Sequence, residues 1–526
     1  MSMARLASGL LSPRGVVGFW LVLAVAFVLM LWAVSPGRTL QDALTAELLQ
    51  GHLAGGYQLR NPPLYEWLLW SVQQVIGPGP LSYLILRYSL IAATGILFFA
   101  ALARTVADRR LAAAFSLSLL LFFWFGWEVH HSVSHSLALL VVSLALWIAA
   151  LAYAEQRRAA YALLLGLIIG IGLMAKWSFL LVVLSLGAAL AFTPATRRIF
   201  TDPRALLIPI GTVIPVLPFA LWLAHIDPGL IAARSVPAGQ GIPLDRALEG
   251  AFLFITGIPL VLLPWILFVL AFAKRFQRQR AEAVSQATAI RVALLTAGIG
   301  IALMAAMFVA VTLGGVALFG ITRFAIHYLF PFCLFAALGL AGLVASRVTP
   351  ERFASALALT SLIAACAIFL VKLGSFFIVL PRFEATNLIP YAQLADALTA
   401  RGLGNAQFVT LSPREAGNLA IYMPDARALS LSARIEPPPP DPIGTRPCVL
   451  LWGRGYSVPP EPPPETRGAG RFLKLLGVTG SAGAAEAVAV DWPKPLIGAE
   501  RRAVWYLLRG EAVEGICRRL AVTGII

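Results

Sequence analysis

Along the first 380 residues, long apolar runs alternate with short polar stretches. Runs able to span a bilayer lie at 16–34, 81–103, 111–127, 136–154, 160–175, 177–194, 205–224, 249–272, 288–312, 328–346 and 354–380. Judged against the ~20 apolar residues a membrane helix requires, they predict about eleven crossings. The run from Val16 to Val34 follows Arg5 and Arg14 and is longer than a signal-peptide core, so it reads as a retained membrane helix. The segment 64–77 is shorter and contains Glu66, which predicts an interfacial helix with Trp67 and Trp70 as anchors.

After residue 381 the pattern changes. Pro390 to Leu398 reads as a short amphipathic helix, while Phe408–Leu411, Cys448–Trp452, Glu486–Val490 and Ala503–Leu508 read as strands. The proline runs 437–440 and 459–464 are extended loops between these elements. The fold class expected is an α-helical polytopic membrane protein with a small C-terminal α/β external domain. Its membrane domain covers 1–380, with external loops at 35–80, 128–135 and 225–248, and the second domain covers 381–526.

Composition agrees with this reading: 59% of residues are hydrophobic and only 13% charged, and the mean hydropathy is +0.82. Such a chain is too apolar for a soluble protein of this length. The net charge of +16 suggests a nucleic-acid partner only until the basic residues are located. Arg5, Arg14, Arg104, Arg109, Arg110, Arg157, Arg158, Arg197, Arg198, Lys274 to Arg280, Arg347 and Arg352 all fall on one side of the predicted crossings. That distribution marks the cytoplasmic side of a plasma (inner) membrane protein, and no nucleic-acid partner is expected. Cys333 and Cys366 lie in apolar runs and read as core residues, whereas Cys448 and Cys517 could bridge if their region is external.

The polar stretch from Gln41 to Tyr65 interrupts this lipid-adapted sequence. Polar groups beside a bilayer are costly and usually have a task. Leu40, Leu44 and Leu48 share one helical stripe with Asp42 turned away, as in a helix lying on the membrane surface with Asp42 facing a cavity. All six histidines, His52, His130, His131, His135, His225 and His327, fall on the external side, in part because histidine prefers loops to apolar runs. His131 and His135 stand four residues apart and would suit a divalent metal if helical, but the ligand set is incomplete and no cofactor is firmly implied.

An acidic residue, a short helix, Gly56-Tyr57, then Arg60-Asn61 and Pro62-Pro63-Leu64 resemble the first external loop of C-type membrane glycosyltransferases. That group holds the protein O-mannosyltransferases and lipid A aminoarabinose transferases. The family loop usually opens Asp-Glu, and here it opens Asp42-Ala43. Met174-Ala175-Lys176-Trp177 resembles the family's Ser-Lys-Tyr turn between short paired helices. Arg323-Phe-Ala-Ile-His327-Tyr328-Leu-Phe-Pro331 resembles its Arg-Tyr-Leu-x-Pro signature, although an aromatic belt with one interfacial cation would look alike. The resemblance covers about residues 16–380.

The resemblance implies an inverting transfer of a sugar from a polyprenyl-phosphate carrier to a lipid, glycan or protein acceptor, with Asp42 as general base. A membrane-embedded carrier is also the donor physically available outside the cytoplasm, and no Gly-rich phosphate-cradling turn for a nucleotide sugar is visible. Lys176, Arg87, Arg323 and Arg60 lie at or near external ends of apolar segments and are candidate partners of the donor phosphate. Arg87 could instead snorkel to the interface, and Arg60 could be an ordinary loop charge. Tyr57, Glu128, His135, His327 and Tyr328 are candidate substrate contacts, with Glu128 or His135 replacing an aspartate that relatives often carry in the second loop. Two other readings remain open at this point, a lipid or sugar transporter or flippase with an external receptor domain, and a non-catalytic scaffold. Against the transporter, no duplicated half with paired broken helices is visible.

Overall fold

The computed structural model describes residues 9–35, 46–49, 53–59, 61–130, 134–226, 244–275, 286–314, 326–379, 389–410, 412–430, 446–457, 486–492, 494, 496–498, 502–511, 513–515 and 517. Asp42, His52, Arg60, His131 and Arg323 lie outside these residues, as do both proline runs. The chain forms two compact units: Met1–Ala26, Leu59–Tyr65 and Arg87–Ile368 make one, and Phe27–Gln58, Glu66–Leu86 and Phe369–Ile526 make the other.

The helices in chain order are α1 (Pro13–Val34), α2 (Ala46–Leu49), α3 (Leu64–Ile76), α4 (Pro80–Thr105), α5 (Arg109–Leu117), α6 (Phe123–Gly126) and α7 (Ser134–Gln156). They continue with α8 (Ala159–Ala175), α9 (Phe179–Phe192), α10 (Leu207–Ala224), α11 (Leu244–Arg275), α12 (Ala287–Gly314), α13 (Phe330–Ala345) and α14 (Pro350–Gly374). Each of the apolar runs read from sequence is largely helical over its described residues, because lipid leaves a backbone few other ways to satisfy its own polar groups; the run 354–380 leaves its helix at Gly374.

The expected count of eleven crossings is not confirmed. Among the described residues seven helices are long and apolar enough to span, or up to nine if each of two bent pairs is one span. One bent pair is Arg109–Leu121 with Phe123–His130, which turn by 73°. The runs at 160–175 and 177–194 form α8 and α9, of 17 and 14 residues, which are short for a bilayer.

Small residues let the first unit pack closely. A Cβ on Gly166 would lie 2.1 Å from the Ile208 carbonyl oxygen, and one on Gly211 would lie 2.6 Å from that of Leu163, so α8 and α10 meet backbone to backbone. Thr212 adds a hydrogen bond from its hydroxyl to the Gly166 carbonyl at 3.2 Å. Asp108 caps α5 by accepting from the Arg110 and Leu111 amides at 2.7 and 3.2 Å. Cys366, expected in the core, is exposed on α14, whose outer side carries Ile363, Leu370 and Val371 in the same state.

In the second unit, β2 (Gln407–Thr410) and β3 (Arg427–Ser430) are parallel and joined by α16 (Pro413–Tyr422), which follows α15 (Tyr391–Thr399). β4 (Cys448–Ser457) pairs parallel with β2, and β7 (Arg502–Leu508) pairs antiparallel with β4 and with β5 (Glu486–Asp491). The sheet order is β3-β2-β4-β7-β5, and β1 (Ile378–Val379) pairs separately with β6 (Ile497–Gly498). Cys448 at the start of β4 forms a disulfide with Cys517.

α2 packs against α16 and β3, so the apolar side carrying Ala46 and Leu48 is covered by protein; the sequence had suggested a helix on a lipid surface. Next along the chain, Ala54 accepts from the Trp67 indole at 2.9 Å and donates its amide to the Tyr57 hydroxyl at 2.9 Å. Trp67, expected as an interfacial anchor, is therefore bound to the loop, and Glu66, fully buried, accepts from Gln58 at 3.3 Å. In the first turn of α16, desolvation pushes the Glu415 carboxyl up to about 8, with Arg414 pulling the other way. Glu415 keeps some solvent at its rim, but the shift follows the carboxyl's loss of water and not the average exposure of the residue.

Candidate active site

Lys176 stands where α8 ends. Its backbone is extended (φ −168°, ψ 142°), and α9 begins only at Phe179, so the chain turns over three residues. Gly172 permits the turn: a Cβ there would lie 2.1 Å from the Phe179 ring. The side chain is only 8% exposed. Its Nζ donates to Ser136 Oγ at 3.0 Å and lies 4.9 Å from the centre of the Tyr328 ring. Ser136 belongs to the first turn of α7, and Tyr328 to a 3-10 turn, Ile326–Leu329, that leads into α13. Two separate elements thus meet an ammonium carried by a third, one with a hydroxyl oxygen and the other with an aromatic face.

The neighbours of these residues hold the end of the first loop. Trp177 donates its indole N–H to the Leu59 carbonyl at 2.8 Å. The His135 ring stands 5.3 Å from that of Tyr65. Trp177 also contacts Phe219 at 5.8 Å between ring centres, and Phe219 stacks on Trp222 at 5.4 Å. His327 lies beside Tyr328, with ring centres 4.6 Å apart.

Arg87 is 4% exposed and does not snorkel. Its Nη1 donates to the His130 carbonyl at 3.0 Å, while the Tyr88 hydroxyl and His130 Nδ1 share a hydrogen bond of 2.9 Å. Consecutive residues of α4 therefore grip both the backbone and the side chain of the second loop. Glu128 lies half-buried in the same 3-10 turn, Glu128–His130.

The structure therefore brings Lys176, Tyr328 and His327 together, with Tyr65 and His135 beside them. Arg87 engages the second loop. Tyr57 is buried in the other compact unit, at 1% exposure. Among the described residues no three His, Cys, Asp or Glu side chains gather to hold a metal. Sequence reading passed over Ser136 and quoted Trp177 and Tyr65 only as members of a turn and a loop, with no role of their own. A serine and a tryptophan at the ends of apolar runs carry little signal alone, and only their adjacency to His135 and Lys176 could have drawn attention.

An apolar crevice lies in the same unit. It is lined by Trp124, Leu140, Val261, Phe330, Cys333 and Leu334, with Phe122 and Phe125 at the bent pair. Leu140 is one turn along α7 from Ser136, and Phe330 follows Tyr328 by two residues.

Residues 60–222 match the family model described as dolichyl-phosphate-mannose-protein mannosyltransferase. The chain is 30% identical over 271 residues to the lipopolysaccharide core galacturonosyltransferase RgtA of Rhizobium johnstonii, covering 49% of this chain and 53% of that protein. It is 29% identical over 214 residues to RgtB of the same organism, covering 40% and 43%. The chain thus spans about half the length of the curated relatives it matches, or less. Two crystal structures of ArnT from Cupriavidus metallidurans, one bound to undecaprenyl phosphate and one apo, align with TM-scores of 0.56. Identity is 13% and 14%, over 94–95% of this chain and 99% of theirs. That likeness shows the fold, a multi-pass helical membrane body like that of ArnT, to which the C-terminal residues add a small sheet domain.

Proposed function

We propose that the protein is a membrane glycosyltransferase that takes a sugar from a polyprenyl-phosphate carrier and delivers it, with inversion, to an acceptor of the cell envelope. The observation carrying this reading is the buried Lys176 ammonium, held by Ser136 and the Tyr328 face a turn away from an apolar crevice. A buried ammonium at the end of a membrane helix is suited to binding an anion. A lipid phosphate would supply that anion. The family model over 60–222 and the glycosyltransferase relatives support the same assignment.

The chemistry follows from the donor. An acceptor hydroxyl or amine displaces the lipid phosphate at the anomeric carbon and loses a proton to a base. Asp42 is the base in this reading, a role worth roughly 10²–10⁴-fold. Charge growing on the leaving phosphate is met by Lys176, with Arg323 and Arg60 as further cations. Glu128, His135, His327, Tyr328 and Tyr57 are the candidate sugar or acceptor contacts. The Cys448–Cys517 disulfide supports an oxidising compartment for the sheet domain, and the basic loops support a cytoplasmic N-terminus in the inner membrane. Because the two relatives are named for galacturonic acid and the lipopolysaccharide core, these are the first donor sugar and acceptor to test.

The test is transfer by the purified protein in lipid nanodiscs, using polyprenyl-phosphate-linked galacturonic acid and lipopolysaccharide core acceptors, followed by mass spectrometry. Covalently modified acceptor is the expected product. Movement of intact donor across the bilayer without any modified acceptor would instead identify a flippase.

A further inference from the structure

Ser136 is 3% exposed, and its oxygen accepts from the Lys176 ammonium at 3.0 Å. A serine hydroxyl also carries one proton to donate. Among the described residues that proton is given no acceptor: the contact with Lys176 uses the oxygen alone. A buried donor is seldom left unused.

We infer that Ser136 is a second, neutral donor to the anion held by Lys176, accepting from the ammonium and giving its own O–H to a phosphate oxygen of the lipid carrier. The inference rests on the donor-phosphate reading of Lys176. Its physical advantage is twofold. A lysine side chain has about 2 kcal/mol of rotamer entropy, and the Ser136 bond and the Tyr328 ring restrict that freedom before any ligand arrives. The chain from ammonium to hydroxyl to phosphate also polarises the hydroxyl and strengthens the terminal bond. The alcohol form of the same lipid offers no anionic oxygen and gains little from the pair.

The experiment measures binding of undecaprenyl phosphate and of undecaprenol to the full-length protein in nanodiscs, for the unmutated chain, Ser136→Ala, Ser136→Thr and Lys176→Ala. Ser136→Ala is expected to weaken the phosphate lipid about tenfold, the scale of a hydrogen bond to a charged group, and to leave undecaprenol unchanged. Ser136→Thr keeps the hydroxyl and is expected to stay within about twofold of the unmutated protein. In the Lys176→Ala background the serine change is expected to cost clearly less, since the two groups act together. Equal losses for both lipids in Ser136→Ala, or an unchanged preference for the phosphate, would overturn the inference. If the unmutated protein binds both lipids equally, the donor-phosphate reading of Lys176 falls first, so the two failures are distinguishable.

Discussion

Trp177 donates its indole N–H to the Leu59 carbonyl at 2.8 Å, so the residue following the buried cation holds the segment that leads into Pro62 and Pro63. One turn of backbone between two short helices thus presents an ammonium on one side and a latch on the other.

Trp177→Phe tests the latch. The ring contact with Phe219 persists while the hydrogen bond is lost, a change of about 1 kcal/mol. Hydrogen exchange over Leu59–Tyr65 should quicken and the transfer rate should fall, with affinity for the phosphate lipid nearly unchanged. Unchanged exchange in that segment would show that the bond does not hold it.

Lys176 variants separate charge from shape. Lys176→Ala should abolish the preference for a phosphate-bearing lipid over its alcohol. Lys176→Arg keeps the charge but replaces a compact ammonium beside Ser136 and Tyr328 by a planar fork of different shape and hydration, so it should recover only part of that preference. The readout is the ratio of the two dissociation constants, and its salt dependence.

Asp42→Asn keeps size and most hydrogen bonds but cannot take the acceptor's proton. Transfer should drop by about two orders of magnitude or more while the melting temperature and donor binding persist. Loss of stability with transfer largely intact would make Asp42 a structural residue and move the base to Glu128 or a histidine.

The disulfide makes a prediction outside the membrane. Unfolded, unreduced protein should show two reactive thiols, from Cys333 and Cys366. Because the bridge closes a loop with a sequence separation of 69, its loss should cost the sheet domain about 4 kcal/mol in the chain-entropy account. Four reactive thiols would contradict the pairing.

Glu415 makes the sheet domain's stability depend on pH. Burial pushes its carboxyl up to about 8 in the folded chain, against an ordinary value of 4.5, so between these values the unfolded chain binds fewer protons than the folded one. The contribution of Glu415 to stability is therefore fully present below about 4.5 and is lost as pH rises towards about 8. Glu415→Gln should flatten melting temperatures measured across that window.

The sequence made the membrane body legible because an apolar run of sufficient length has one backbone solution. The four strands anticipated from Phe408, Cys448, Glu486 and Ala503 onward correspond to β2, β4, β5 and β7. β3 escaped notice because Arg427-Ala-Leu-Ser has no β-branched residue and only four positions. At the site, Lys176 stood out as a charge among apolar neighbours. Ser136 and Leu59 did not, since their bonds to Lys176 and Trp177 cross 40 and 118 residues of chain, a relation that helical periodicity does not encode. Arg87 was legible as a cation, but its hold on the His130 carbonyl was not.

The packing of α2 on α16 and β3 matters to anyone exchanging modules between such proteins. Ala46, Leu48 and the Trp67–Ala54–Tyr57 hydrogen bonds belong to the same compact unit as the sheet, although over 300 residues of chain separate α2 from α16. A graft cut only at the end of α14 would give Ala46 and Leu48 a foreign helix to rest on. The natural unit of exchange is discontinuous: a chimera should carry Phe27–Gln58 and Glu66–Leu86 together with the sheet.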